Sequence, residues 1–226
     1  MGFFDKNKSA DQPQQNAPLE VSLVKGGTVS LTKGSTVKLD KSAGGDYTII
    51  TTWGSKDYDL YALVEYTDGH VEEVALFGTD KDRNFSARTR DDAVVHVSGD
   101  QTAYTQSTPQ EVLHVRLNPD IRAVAPVVYS AQNSGPGSFR KYRVSTWVIE
   151  GLHQNVPQAG TKVGVDAVDA SSDDNVYSFV PAVIHNGPDG PSVEAVELYS
   201  RRSSENRPAI RDGHVSMDAG PLNLFK

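Results

Sequence analysis

Between Leu19 and Phe225 the chain is a succession of short segments rich in Val, Leu, Thr and Tyr, each stopped by Gly, Pro, Asn or Asp. They include TVSLT, YTIITTW, YDLYALVEY, HVEEVALF, AVVHVSGD, EVLHVRL, VAPVVYSAQ, YRVSTWVIEG, TKVGVDAV, NVYSFVPAVIHNG and VEAVELYSR. In a strand, successive side chains point to opposite faces, so each alternating segment has one apolar face that must be covered by a second layer. More than ten such segments predict an all-β fold, a two-sheet antiparallel β-sandwich of many short strands with few helical turns. Lys25-Gly26 and Lys33-Gly34 fall between early segments, as tight turns of a β-meander do. One helical turn is expected at NPDIRA, residues 118 to 123, where Asn118 suits a cap and Pro119 the first helical position.

Residues 1 to 18 are polar and lack the apolar content to order themselves, so they read as a flexible N-terminal tail. No segment of 19–226 has the composition of a linker, which favours a single β-sandwich domain over two half-barrel lobes. The formal net charge of −7, with no basic stripe, argues against nucleic acid and for cations or basic partners. Cysteine is absent, which excludes disulfides, zinc-thiolate sites and cysteine nucleophiles. Any metal must therefore be held by oxygen or histidine. The chain has neither the apolar stretch of a signal peptide nor that of a membrane helix, so a soluble, cytoplasmic protein is expected.

Enzyme signatures are missing: there is no GxxxxGK[ST], no GxGxxG, no HExxH and no GxSxG. SGPGS, residues 134 to 138, is Gly-rich but sits between strand-like segments, which argues against phosphate binding. His96 and His114 lie in apolar segments and read as buried, hydrogen-bonded rings. The acidic residues are more informative. In KDYDLYALVEYTDG, residues 56 to 69, Asp57 and Asp59 stand two apart and so are expected side by side on one face of a half-buried strand. Asp100 ends one strand-like segment and Glu111 opens the next. Carboxylates at strand ends can converge into the oxygen ligands that calcium takes. They also read as solvated turn residues, because Asp is favoured in turns.

Several motifs occur together and in order: VSLVKGG and SLTKG at 21 to 34, Trp53-Gly54, DYDLYA at 57 to 62, VVHVSGD at 94 to 100, EVLHVRL at 111 to 117, GSFRKYRVSTWVI at 137 to 149 and VELYSRR at 196 to 202. In this set the chain resembles the TerD-like tellurium-resistance and stress proteins of bacteria. The resemblance implies a β-sandwich of two similar halves, without enzymatic activity, that binds calcium and acts with membrane-associated partner proteins in the stress response. It implies Asp57, Asp59, Asp100 and Glu111 as calcium ligands, with a carbonyl from Gln101 and Gly99 admitting the backbone to the ion.

The chain also departs from the family pattern. Gln101 stands where Asn is usual, STPQEV replaces an acidic run while keeping Glu111, and the late Gly-rich Trp motif is replaced by ENRPAIRDGHV. Fewer carboxylates mean a weaker calcium site. Taken from Asp59-Leu60, the second acidic position falls on Tyr61; the gapless register from Asp68-Gly69 gives it to Asp57 and is preferred. Two further readings remain open, a metal-free scaffolding sandwich or assembly subunit with a degenerate site, and a metal-dependent hydrolase using the same carboxylates.

Overall fold

A computed structural model describes residues 19–21, 25–40, 44–76, 85–98, 108–130 and 134–223. The tail at 1–18, Gly99, Asp100 and Gln101 lie outside the described residues. In chain order the strands are β1 (Leu19–Val21), β2 (Thr28–Leu31), β3 (Ser35–Lys38), β4 (Asp46–Thr52), β5 (Asp59–Tyr66), β6 (Val71–Val74), β7 (Phe85–Ser86) and β8 (Val94–His96). There follow β9 (Gln110–Arg116), β10 (Ile121–Tyr129), β11 (Ser145–Glu150), β12 (Lys162–Asp166), β13 (Ser178–Gly187), β14 (Gly190–Tyr199), β15 (Ala209–Arg211) and β16 (His214–Ser216). A 3-10 turn covers Ala170–Asp173.

These strands make the expected sandwich. One sheet runs β1-β3-β14-β13-β10-β5-β6-β7, the other β2-β12-β11-β4-β9-β8, and β15 and β16 form a separate hairpin. Pairing is mixed, where an antiparallel fold was expected: β1 with β3, β12 with β2 and β6 with β7 are parallel. The first exception has a simple cause. The chain leaves one sheet for β2 in the other and returns, so β3 arrives alongside β1 in the same direction, as a crossover requires. Beyond β7 the chain bridges to β8 of the opposite sheet at Arg88 and Val95 and closes one side of the sandwich. The helical turn expected over 118–123 is not there, because Ile121–Ala123 already belong to β10; 118–120 make a tight turn instead, in which the Asn118 Oδ1 accepts the amides of Asp120 (2.9 Å) and Ile121 (3.2 Å).

Side chains between the sheets include Leu60, Ala62 and Val64 of β5, with Leu113, Val115, Val128 and Phe179. The other face of β5 is buried as well, because Tyr61 and Leu63 pack under Ile210, Val215 and Met217 of the C-terminal hairpin. The expectation of a half-buried strand is therefore corrected. A buried carboxylate pins this cover: Glu65, 2% exposed, accepts the amides of Asp212 (2.6 Å) and Gly213 (2.7 Å). Both turn residues have positive φ, 51° and 77°, the two-residue hairpin geometry that glycine and aspartate tolerate best.

Candidate functional site

Of the acidic positions singled out in the sequence, the start of β5 and Glu111 meet at one end of the sandwich. The ladder between β5 and β6 runs from Ala62–Val74 to Glu65–Val71, so Leu60 lies past its end. Side chains from the opposite sheet take over the Leu60 peptide groups. The Glu111 Oε2 accepts the Leu60 amide at 2.6 Å, and the His96 Nε2 lies 3.0 Å from the Leu60 carbonyl and 3.3 Å from the same Oε2. Facing two oxygen acceptors, this ring nitrogen carries its proton. His96 Nδ1 is 3.2 Å from the Ser98 carbonyl, and Ser98 Oγ accepts the Val112 amide at 2.8 Å.

Strand periodicity explains the arrangement. Glu111, Leu113 and Val115 alternate inward along β9, as Val94 and His96 do along β8. An inward carboxylate needs donors to offset its lost hydration, and Glu111, 3% exposed, finds them in Leu60 and His96. His96 is the buried, hydrogen-bonded ring read from the sequence, 4% exposed; His114, half-buried, has its Nε2 2.9 Å from the His153 carbonyl.

Asp57 and Asp59 are not equivalent. Asp59 opens β5 opposite Tyr129, the last residue of β10, and is 2% exposed. Asp57 lies in the coil before the strand, half-buried, so strand alternation does not put the two carboxylates on one face. Tyr61, which shares the face of Asp59, is wholly buried with its ring edge-on to Phe85 at 5.6 Å. Burial, then the Glu73 carboxylate, pushes its hydroxyl far above the ordinary tyrosine range. Burial, Glu205 and Asp59 do the same to Tyr129.

Lys56 is a part of this corner that the sequence reading missed. Its Nζ donates to three successive backbone carbonyls, Gly135 (3.0 Å), Pro136 and Gly137 (3.4 Å), and lies over the rings of Tyr58 (5.5 Å) and Tyr142 (6.0 Å). Tyr58 donates its hydroxyl to the Gly137 carbonyl, and Ser130 Oγ donates to that of Gly135 at 2.8 Å. Residues 135–137 thus turn oxygens toward a cation, the opposite polarity to a phosphate loop. Burial, with the Lys141 ammonium, brings the Lys56 pKa down to about 8 against the pull of the Asp57 carboxylate. The visible signal was the Lys-Asp step itself, a basic side chain beside the carboxylates. Gly54 belongs to the same end: its amide donates to the Tyr142 carbonyl at 2.8 Å, and a Cβ there would come within 3.1 Å of that oxygen.

No protein-family model matches this chain, and no curated protein matches it.

The residues were tested for a calcium site on their donor chemistry. Asp57, Asp59 and a carbonyl cradle already holding an ammonium are hard oxygen donors of the kind calcium takes. These fit. Glu111 fits less well, because its Oε2 already serves two protein donors. Among the described residues no three His, Asp or Glu side chains converge on one point. A separate opening is a cleft of about 800 Å³ lined by His70, Glu72, Glu73, Arg88 and Arg207 among others. Several of its charges pair with one another, Arg207 Nη1 with Glu73 at 2.5 Å and Arg88 with Asp92 at 3.1 Å.

Proposed function

We propose that this chain is a non-enzymatic, TerD-like stress-response module that binds calcium weakly at the start of β5, and that ion occupancy is coupled to a protein partner. The supporting observation is convergence. The segment at 56–60 hydrogen-bonds to stretches far apart in sequence, Lys56 and Tyr58 to residues 135–137 and Leu60 to His96 and Glu111. In this reading Asp57 and Asp59, with Asp100 and Gln101, hold the ion, and Glu111 with His96 positions the start of β5 beside it. An ion bound only by the folded state stabilises that state and can order the loops around it. No described helix is long and apolar enough to cross a membrane; the cytoplasmic location and the membrane-associated partners are part of the proposal.

A second reading, a metal-free scaffolding sandwich, is favoured by two particular facts. Tyr61 is buried among aromatic rings on the face it shares with Asp59, and Glu111 is engaged by Leu60 and His96. Calorimetric titration of calcium into chelator-treated protein separates the two. The first reading expects a binding isotherm that is lost in an Asp59→Ala, Asp100→Ala double variant. Absence of heat, with no calcium-dependent rise in melting temperature up to millimolar ion, leaves the second.

A further inference from the structure

The segment ENRPAIRDGHV, where the chain leaves the family pattern, belongs to a self-contained unit at residues 205–223. Its backbone closes on itself. β15 pairs only with β16, Asn206 bridges to Leu222, and the amides of Arg207, Gly220 and Asn223 donate to the carbonyls of Pro221, Arg207 and Glu205. Among the described residues, no backbone hydrogen bond joins the unit to either large sheet. Two buried charges seat it on the outer face of the first sheet, one at the hairpin's turn and one at its open end. At the turn, Glu65 accepts the amides of Asp212 and Gly213, with Arg122 within 3.9 Å of Glu65 and 3.8 Å of Asp212. At the open end, Arg207, 1% exposed, reaches Glu73 at 2.5 Å and lies over the Phe85 ring at 4.5 Å. The apolar contact between them is thin: Ile210 is buried, Val215 and Met217 are half-buried, and Leu222 is 48% exposed.

Three openings follow the seam. One of about 800 Å³ lies between Arg207 and Pro221 on one side and His70 and Phe85 on the other. A second, of about 400 Å³, lies between Arg211 and Asp212 and the sheet residues Thr67 and Arg122, and a third, of about 240 Å³, between His214 and Val215 and the sheet residues Gly34 and Glu194. Protein interiors are close-packed with few voids, so a unit rimmed by openings is set upon the fold rather than built into it. We infer that residues 205–223 are a lid that leaves the outer face of the first sheet as one unit, with Glu65 and Arg207 as its latches, while both sheets stay folded. The lid needs no ion. Its opening is cheap for two reasons. A buried ion pair adds little net stability, because the hydration lost on burial offsets the attraction, and that hydration returns when Glu65, Glu73 and Arg207 meet water. No ladder of either large sheet is broken, since the hairpin's hydrogen bonds are its own. A two-stranded hairpin is marginal in isolation, so the unit loses those bonds once it leaves, and its amides share one opening. Such elements open at free energies below the global one. The output is a strip of β5, Tyr61 and Leu63 bordered by Glu65, that meets solvent only in the open form.

Hydrogen exchange on the full-length protein, read residue by residue at rising but sub-denaturing urea, tests this. The amides of Arg207, Asp212, Gly213 and Gly220 should exchange together. Relative to their intrinsic rates they should exchange at least about a hundredfold faster than the amides of β10 and β13, and with a smaller urea dependence. Exchange at the same free energy and urea slope as β10 and β13 means that the unit opens only with the whole fold, and overturns the lid. Unrelated free energies at the four amides show separate fraying and overturn it as well. Glu65→Gln replaces one acceptor oxygen by an amino group that cannot accept from a turn amide. It should speed exchange about tenfold or more at all four, including Arg207 and Gly220, whose amides are bonded elsewhere. Acceleration confined to Asp212 and Gly213 overturns the role of Glu65 as a latch of the whole unit. The parent protein alone decides whether the lid exists, even if Glu65→Gln fails to fold.

Discussion

Replacing Glu111 by Ala removes the only carboxylate that reaches the Leu60 amide in the described residues, and the cost can be worked from its contacts. Leu60 is wholly buried, so its amide loses a 2.6 Å partner and finds no water in exchange. An orphaned buried donor costs about 1–3 kcal/mol. Losing the 3.3 Å contact with the His96 ring forfeits a hydrogen bond to a charged group, about 1.5–3 kcal/mol. Both figures describe one carboxylate and overlap, so the expected total is about 2–4 kcal/mol, a large share of the roughly 5–15 kcal/mol that holds a domain together. Glu111→Gln keeps a neutral acceptor for Leu60, and since charge-assisted hydrogen bonds are about twice as strong as neutral ones, it should lose about half as much. Urea unfolding followed by tryptophan fluorescence, in chelator so that no ion contributes, measures both. Hydrogen exchange at the Leu60 amide should accelerate in Glu111→Ala relative to that at Val64. A loss below about 1 kcal/mol in chelator, with a large loss appearing only when calcium is present, would refute the clamp and return Glu111 to the role of ion ligand.

The turn after β7 carries a pH dependence of definite sign. Burial raises the Asp91 pKa, but hydrogen bonds from the Thr89 hydroxyl, the Ala93 amide, the Asn118 side chain and the Tyr66 hydroxyl outweigh it and hold the carboxyl below its ordinary range. A folded-state pKa below the unfolded one means stability that is present above the unfolded value of about 3.9 and lost as pH falls through the folded one. Urea midpoints of the parent and Asp91→Asn should therefore differ at neutral pH and draw together below about pH 4; a constant gap contradicts the assignment. On the opposite sheet, a Cβ at Gly164 would sit 2.7 Å from the Trp147 ring, its pairing partner across β11 and β12. Gly164→Ala should cost about 1–3 kcal/mol by overpacking and red-shift the indole emission. Unchanged melting temperature and emission would show that the ring moves aside freely.

Alternation of apolar residues with period two, punctuated by Gly, Pro, Asn and Asp, was enough to determine a β-sandwich, because that pattern is local and strands must bury one face. It also made the acidic residues before β5 and at the start of β9 stand out, and it identified His96 as a buried ring. Where those residues stand relative to one another was not legible. A strand has no hydrogen bonds of its own, so its limits and its surroundings are decided by partners distant in sequence. Tyr129 sets where β5 begins and so leaves Asp57 outside the strand. The hairpin β15–β16 buries the face of Tyr61, Leu63 and Glu65 that an isolated β5 would turn to solvent. Glu111 becomes a clamp because β6 stops short of Leu60, and Lys56 becomes a bound cation because a loop 79 residues away turns its carbonyls inward. Residue identity decided which charges exist; only the packing of two sheets decided which of them meet.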